Sequence, residues 1–294
     1  MNDFILIPIA VLFFGVNGTL TRLFQLRYQK SKAGIFLYQT LFCFVAFVSY
    51  LTQSTKSADV SLFTIGMAIG MGIAFFLALF GFAICFETGS MAITSVVINL
   101  SLIIPMIYSW VFLSEPIYQK SIFGLMLLAV TFVLSAFSSK EKGKHGSTKW
   151  FLFLLMGFFA NGMSAVLQKQ HQIQLHGKNA ALFMAIGYLT ASLLFALFFF
   201  LKKESGAFHV KTYATSKKAF LSVSILSGIS VFAGNGILMI LSSRVNGGIL
   251  YPCLNGGLCI LLSFISIVFF REKFTLPKGL SILFGLCAIV LLGT

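Results

Sequence analysis

The sequence predicts an all-α integral membrane protein in which ten transmembrane helices form two inverted five-helix repeats. Charged residues make up 10% of the 294 residues and hydrophobic residues 58%, whereas a soluble domain carries about 25% charged residues. The apolar runs are each about 20 residues long, as a membrane-spanning helix requires. A polar linker lies near the middle of the chain. Together these features exclude a soluble globular enzyme, a disordered chain and a coiled coil.

Each predicted helix is a continuous apolar run between short polar breaks, which differs from the alternating pattern of about 10 residues that marks a barrel strand. The ten predicted ranges are 4–24, 33–52, 61–85, 90–113, 118–138, 150–170, 179–201, 218–242, 247–270 and 275–293. The start of the chain lacks the positively charged region of a secretory signal, so we expect the first helix to be retained. In the third helix, Gly66, Gly70, Ala74 and Ala78 recur every four residues, a small-residue stripe that predicts close helix packing.

The linker, residues 139–149, divides the chain into a first repeat at 1–138 and a second at 150–294. Matching features appear in the same order in both halves. An Asn-Gly pair lies in the first helix of each half, beginning at Asn17 and at Asn161. A glutamate follows the fourth helix of each half, at Glu115 and at Glu272. These matches indicate an internal duplication.

The offset set by the two glutamates also superimposes the small residues of segment 89–92 on those of segment 246–249, which open the two fourth helices. Because each half holds an odd number of helices, the two halves must enter the membrane from opposite sides. The result is an inverted repeat, an architecture typical of secondary transporters.

These features resemble the drug/metabolite transporter superfamily, and most closely its EamA-type ten-helix members. The segments that carry the resemblance are Ser95–Leu134, with Pro105, Glu115 and Gly124, and Gly247–Leu292, with Glu272 and Gly285. The resemblance spans the chain with loose motifs, and it implies secondary transport of a small metabolite without naming one. The small four-helix multidrug members carry a carboxylate in their first helix. Here the corresponding helices hold Asn17 and Asn161, which argues against the same exchange of protons for cationic drugs.

Uncharged polar side chains inside apolar helices are the candidate substrate-binding groups. A buried amide without a partner is costly, so each must face another helix, a cavity or a substrate. Bonding between helices is the structural alternative. The ten candidates are Asn17, Tyr38, Gln39, Asn99, Tyr108, Asn161, Tyr188, Asn235, Tyr251 and Asn255. Asn17 and Asn161 are the strongest, because the repeat would bring both toward one central site.

Other classes of function lack support in the sequence. The net charge of +14 comes from basic residues in loops beside anionic lipid, so we expect no nucleic-acid partner. No phosphate-binding loop or catalytic motif occurs, so we expect neither ATP use nor enzymatic activity, and no cofactor or metal. The five cysteines are expected to be free thiols, and the four histidines, His171 among them, to be solvated or interfacial.

Two alternatives stay open beside a metabolite transporter. One is a multidrug or toxic-metabolite exporter of the same fold, and the other is a membrane protein that binds a partner without transport. In either case the expected location is the cell membrane, of the bacterial plasma-membrane type.

Charge asymmetry predicts the orientation. Loops after odd-numbered helices hold 16 Lys and Arg residues, and loops after even-numbered helices hold five, among them Lys169. The positive-inside rule therefore places both termini outside, although the resemblance implies both termini inside.

The predicted spans leave no ionisable residue at mid-membrane. Glu115 and Glu272 are expected to pair with a nearby Lys or Arg at the interface, and Glu87 is the one acid placed to reach a cavity. We therefore expect a uniporter or solute exchanger, or else coupling in which the substrate itself carries the charge, with Glu87 as the possible coupling residue if protons drive transport.

Overall fold

A computed structural model describes residues 3–28, 32–54, 61–88, 91–116, 119–137, 148–202, 216–269 and 276–293. The described chain is helical, without strands, and forms eleven α-helices. They are α1 (Asp3–Leu23), α2 (Lys32–Ser54), α3 (Leu62–Thr88), α4 (Met91–Leu100), α5 (Ile103–Phe112), α6 (Gln119–Phe137), α7 (Thr148–Gln174), α8 (Ala180–Lys202), α9 (Lys217–Ser242), α10 (Gly247–Val268) and α11 (Leu276–Gly293). A single π-helical turn, Phe24–Tyr28, extends α1.

Seven of these helices are long and apolar enough to cross a membrane: α1, α2, α3, α7, α8, α9 and α10. Shorter apolar stretches lie at Val97–Phe112, Ile122–Leu134 and Gly279–Ala288. Large apolar side chains cover the outside of the bundle, including Leu193 and Phe200, each 62% exposed. A surface of this kind is stable in lipid and not in water. The prediction of an α-helical membrane protein is therefore confirmed.

The fourth predicted helix, 90–113, differs from the structure because it is divided into α4 and α5. The boundaries of the other predicted helices agree with those of the observed helices to within about four residues, which is the ordinary uncertainty of such boundaries. The sixth helix extends farthest beyond its predicted end, since α7 continues from residue 170 to Gln174.

Helices of the two halves of the chain interleave. From the first half, α2 packs against α8 and α9, and α3 packs against α7 and α8. Helix α1 lies against α9 and α10, and α6 pairs with α11. Aromatic side chains fill the contact between α2, α3 and α8; Tyr38, Phe183, Tyr188 and Phe195 are almost fully buried there. Movement in one half must therefore repack contacts with the other.

The closest approach of α3 to its neighbours occurs at Gly72, not along the whole predicted small-residue stripe. A Cβ atom built on Gly72 would lie 2.4 Å from the carbonyl oxygen of Gly187 in α8. In the stripe, Ala74 and Ala78 are buried, but a Cβ on Gly66 would have no neighbour within 4 Å. The stripe thus explains part of the packing, and the glycine crossing explains the rest.

Candidate functional site

The break between α4 and α5 lies inside an apolar stretch and has a local cause. Pro105 has no N–H, so the helical bond from residue 105 to the carbonyl of Ser101 cannot form. That carbonyl instead accepts the N–H of Ile104 at 3.1 Å, and the N–H of Leu102 reaches the carbonyl of Asn99 at 3.5 Å. The backbone between Asn99 and Ile104 therefore follows tight turns in place of a regular helix.

Asn161 lies against this break. Its side-chain Nδ2 donates to the hydroxyl of Ser101 at 2.6 Å, and that hydroxyl donates to the carbonyl of Ile98 at 2.6 Å. Helix α7 thereby supplies a hydrogen-bond donor to a side chain of the turn between α4 and α5. Irregular backbone at membrane depth requires such burial in protein or contact with a water-filled cavity.

Asn17 belongs to a second hydrogen-bond chain, which joins three helices. Thr21 donates to Asn17 Oδ1 at 3.1 Å, the Thr21 and Tyr38 hydroxyls are 3.0 Å apart, and the Tyr38 and Ser227 hydroxyls are 2.6 Å apart. Tyr38 is fully buried and stacks on Phe24. Asn17 and Asn161 thus have different partners, and no hydrogen bond in the described structure joins them.

The side chains of Asn235 and Asn255 bond within their own helices. Their Nδ2 atoms donate to the carbonyls four residues earlier, those of Val231 at 3.2 Å and Tyr251 at 3.3 Å. Tyr251 in turn donates to the carbonyl of Ala165 at 3.3 Å, which ties α10 to α7. These hydrogen bonds within and between helices are the structural alternative to substrate binding.

Four candidate residues remain. Tyr108 donates to Gln170 Oε1 of α7, and Tyr188 stacks on Tyr50 with 5.9 Å between ring centres. Gln39 is buried, and its Oε1 has no hydrogen-bond partner in the described part of the chain. The carbonyl of Asn99 takes part in the α4–α5 break described above.

A cavity of about 410 Å³ opens at the end of the bundle where α2, α7 and α9 end and α8 begins. Its polar lining residues are Tyr50, Gln53, Gln172, His176, Ser243 and Arg244, beside the apolar Met184, Met239 and Ile240. The turn between α7 and α8 forms its rim, where His176 adopts a φ of 48° and Gly177 a φ of 79°. None of the ten candidate residues lines this cavity.

A buried ion pair lies near the same end of the bundle. Lys169 Nζ of α7 is 2.6 Å from Glu115 Oε1, and it also donates to the carbonyl of Val245 at 3.4 Å. The Lys169 side chain is 1% exposed and that of Glu115 is 18% exposed. The expected pairing of Glu115 with a nearby cation is confirmed. Glu115 comes from the first half of the chain and Lys169 from the second.

The backbone directs Glu115 toward this pair. Ser114 adopts a left-handed φ of 52°, and the N–H of Glu115 bonds to the carbonyl of Ser109 at 3.1 Å, which closes the turn after α5. Glu115 Oε2 then accepts the N–H of Gly247 at 2.6 Å. A carboxylate at this position interacts favourably with the N-terminal dipole of α10.

The structure corrects two sequence predictions about α7. Lys169 is a buried helix residue, not part of a loop, and His171 is fully buried, not interfacial. His171 Nε2 lies 3.3 Å from Thr64 Oγ1, and its ring stacks on Phe183. The buried end of α7 thus holds a lysine and a histidine, whereas the expectations of no ionisable residue at mid-membrane and of transport without proton coupling stay predictions.

The sequence contained a signal for this buried polar face. Ser164, Gln168 and Gln172 are spaced by four, with Asn161 three residues before Ser164 and His171 three after Gln168, which places all five on one side of a helix. Hydropathy alone missed it because a helix end surrounded by other helices does not need an apolar sequence. Two acids of interest lie outside the described side chains: Glu87, at the end of α3, and Glu272. The coupling role predicted for Glu87 stays a prediction.

Comparison with known proteins supports the fold alone. No protein-family model matches the chain, and no curated protein matches it. Solved structures do match, among them one described only as "Crystal structure of protein". That match has a TM-score of 0.75 at 14% sequence identity and covers 97% of this chain and 94% of the other. An identity this low carries no information about substrate or activity.

Proposed function

We propose that this chain is a secondary transporter that moves a small polar organic metabolite across a membrane by alternating access. The observation that carries the proposal is the broken α4–α5 span with the Asn161 amide on the Ser101 hydroxyl. Transporter binding sites are typically built at discontinuous helices near the bilayer midplane. A membrane protein that only holds a partner has no need of interrupted backbone at that depth.

The proposed architecture has ten spans, with α4 and α5 together forming the fourth, in two inverted repeats of the EamA type. In this arrangement the α4–α5 break is a hinge, because fewer backbone bonds resist its bending than in a continuous helix. Asn161 steadies the hinge from α7. The cavity at the end of α2, α7, α8 and α9 is the entrance through which solute reaches the interior.

The lining of that cavity suggests the kind of solute. Amide, hydroxyl and imidazole groups from Gln53, Gln172, Tyr50 and His176 can exchange hydrogen bonds with a polar molecule. The methionine side chains in the same lining adapt to apolar parts of different shape. A cavity of about 410 Å³ is within the usual range of roughly 300–1,000 Å³ for small-molecule sites.

Transport by purified protein in liposomes tests the proposal. A panel of amino acids, sugars, carboxylates and nucleosides would be measured for counterflow, with and without a pH gradient. We expect one chemical class to exchange faster through the protein than through empty liposomes. Absence of exchange across the whole panel would favour a non-transporting membrane protein.

A substitution at the break links this assay to the structure. In Pro105→Ala the restored N–H can bond to the Ser101 carbonyl and extend the helix, so we expect slower exchange at unchanged expression. Pro252→Ala is the matched control, because Pro252 lies within the unbroken α10. Equal exchange rates in both variants would remove the hinge from the mechanism.

A further inference from the structure

The Glu115 carboxylate occupies a site that is built from donors on both halves of the chain. One oxygen meets the buried ammonium of Lys169 and the other meets the first backbone N–H of α10, each at 2.6 Å. A helix N-terminus together with a buried cation is a strong binding site for any carboxylate. In this chain the carboxylate of Glu115 occupies that site.

Two further donors face the same helix end and are unused. The Ser109 hydroxyl and the Trp110 indole N–H are buried without a hydrogen-bond partner in the structure described. A Cβ built on Gly247 would lie 2.2 Å from Ser109 Oγ, and one on Gly248 would lie 2.8 Å from Trp110 Nε1. Ser109 is fully buried. Buried donors without partners are rare and call for an explanation.

The exposure of the ion pair shows which partner can leave. Lys169 is enclosed, whereas Glu115 reaches the surface with 18% of its side chain exposed. Displacement of Glu115 toward water would leave the ammonium buried and unpaired unless another anion replaced it, and an unpaired buried charge is strongly unfavourable. The buried ammonium of Lys169 therefore requires an anion beside it at all times, and Glu115 is the anion that can move away.

Residues close to the ion pair in sequence line the cavity. Gln172, which lines the cavity, is one helical turn beyond Lys169 on α7. Arg244, another lining residue, directly precedes Val245, whose carbonyl accepts a hydrogen bond from Lys169. The ion pair and the cavity thus share the last turns of α7 and the turn between α9 and α10.

We propose that Glu115 is an internal stand-in for the carboxylate of a small organic anion, which displaces it from Lys169 and Gly247. The incoming carboxylate also accepts hydrogen bonds from Ser109 and Trp110, the donors that Glu115 leaves unused. No charge is left unpaired, because Glu115 moves to water as the external carboxylate binds. This inference rests on the proposed function for its place in transport, but binding itself is measured without transport.

Trp110 provides the reporter for a binding test. The chain has two tryptophans, so Trp150→Phe leaves Trp110 as the single fluorophore in the full-length protein in detergent. We expect propionate to produce a saturable change in Trp110 emission and the neutral analogue propionamide to produce none. Lys169→Gln, in the same background, should abolish the response to propionate.

Glu115→Gln distinguishes this proposal from a purely structural ion pair. Removal of the internal competitor should tighten propionate binding by about tenfold or more, as expected when a larger fraction of the protein is binding-competent. Glu141→Gln, in the polar linker, is the matched control and should leave the affinity unchanged. Weaker propionate binding in Glu115→Gln than in the parent would overturn the proposal.

Ser109→Ala keeps the test decisive if the ion-pair variants fold poorly. The substitution removes a hydroxyl that has no partner, so the folded protein loses no hydrogen bond. We expect an unchanged or higher melting temperature, with propionate affinity reduced by roughly three- to tenfold through loss of one bond to a charged acceptor. Unchanged affinity in Ser109→Ala, or no response of Trp110 to propionate in the parent protein, overturns the proposal.

The outcomes also separate this inference from the proposed function. A protein that binds propionate in this manner but exchanges no solute in liposomes would keep the site and refute transport. A protein that exchanges neutral solutes and ignores propionate would keep transport and refute the site.

Discussion

The crossing of α3 and α8 at Gly72 and Gly187 allows a substitution with a magnitude that follows from the structure. In Gly72→Ala the added methyl group would lie 2.4 Å from the Gly187 carbonyl oxygen and 2.7 Å from Thr190 Cβ. Ordinary separations between carbon atoms are about 3.5–4.0 Å. Both obstructing atoms belong to the backbone or sit directly on it, so no flexible side chain can turn away.

The two helices must therefore separate, or one must rotate. Overpacking of this kind costs about 1–3 kcal/mol, and the upper part of that range applies because the obstacle is backbone. The helix preference of alanine over glycine returns about 0.5–1 kcal/mol. The net loss of stability is roughly 2 kcal/mol, which for a chain of 294 residues corresponds to a melting temperature lower by roughly 3 °C.

Thermal unfolding of the purified protein in one detergent measures this effect. Gly66→Ala is the matched control, because the same change in the same helix meets no atom within 4 Å. We expect the control to keep its melting temperature or to gain a little from helix preference. Equal melting temperatures for the two variants would show that α3 and α8 do not cross as described.

Three further predictions concern the pair of asparagines, the ion pair and the orientation. Asn17→Ala and Asn161→Ala should each reduce counterflow more than expression, because Asn161 bonds to Ser101 at the α4–α5 break and Asn17 accepts the Thr21 hydroxyl that also contacts Tyr38 of α2; normal uptake kinetics in both would leave them purely structural. Glu115→Ala should lower the melting temperature more than Lys169→Met does. Loss of Glu115 leaves the enclosed ammonium without its partner, which costs about 3–5 kcal/mol of stability, whereas loss of Lys169 leaves a carboxylate that water can reach. The reverse order in thermal unfolding would contradict the burial. A C-terminal reporter that is active only in the cytoplasm should be inactive, because the charge asymmetry places both termini outside. The burial of Lys169 strengthens this asymmetry, since it removes one cation from the set of loops that holds fewer. Strong reporter activity would show that the termini are inside.

The sequence by itself determined the class of fold and nearly all helix positions. Scarcity of charge and runs of about 20 apolar residues leave helices in a bilayer as the stable arrangement, because lipid offers no hydrogen-bond partner to exposed backbone. It also predicted that Glu115 would find a cation, since a carboxylate at a membrane interface rarely stays unpaired. These inferences depend on local composition, and they hold wherever the segments later pack.

Only the tertiary structure decided which polar side chains meet. Asn161 reaches Ser101 in the turn between α4 and α5, and Lys169, near the end of α7, reaches Glu115 after α5. The break at Ser101 could not be predicted from Pro105 alone, because Pro252 lies inside α10 without dividing it. The physical reason is that a proline or a lysine in an apolar segment is tolerated where neighbouring helices supply hydrogen-bond or ionic partners. That supply depends on contacts between residues distant in the sequence, about which composition and spacing carry little information.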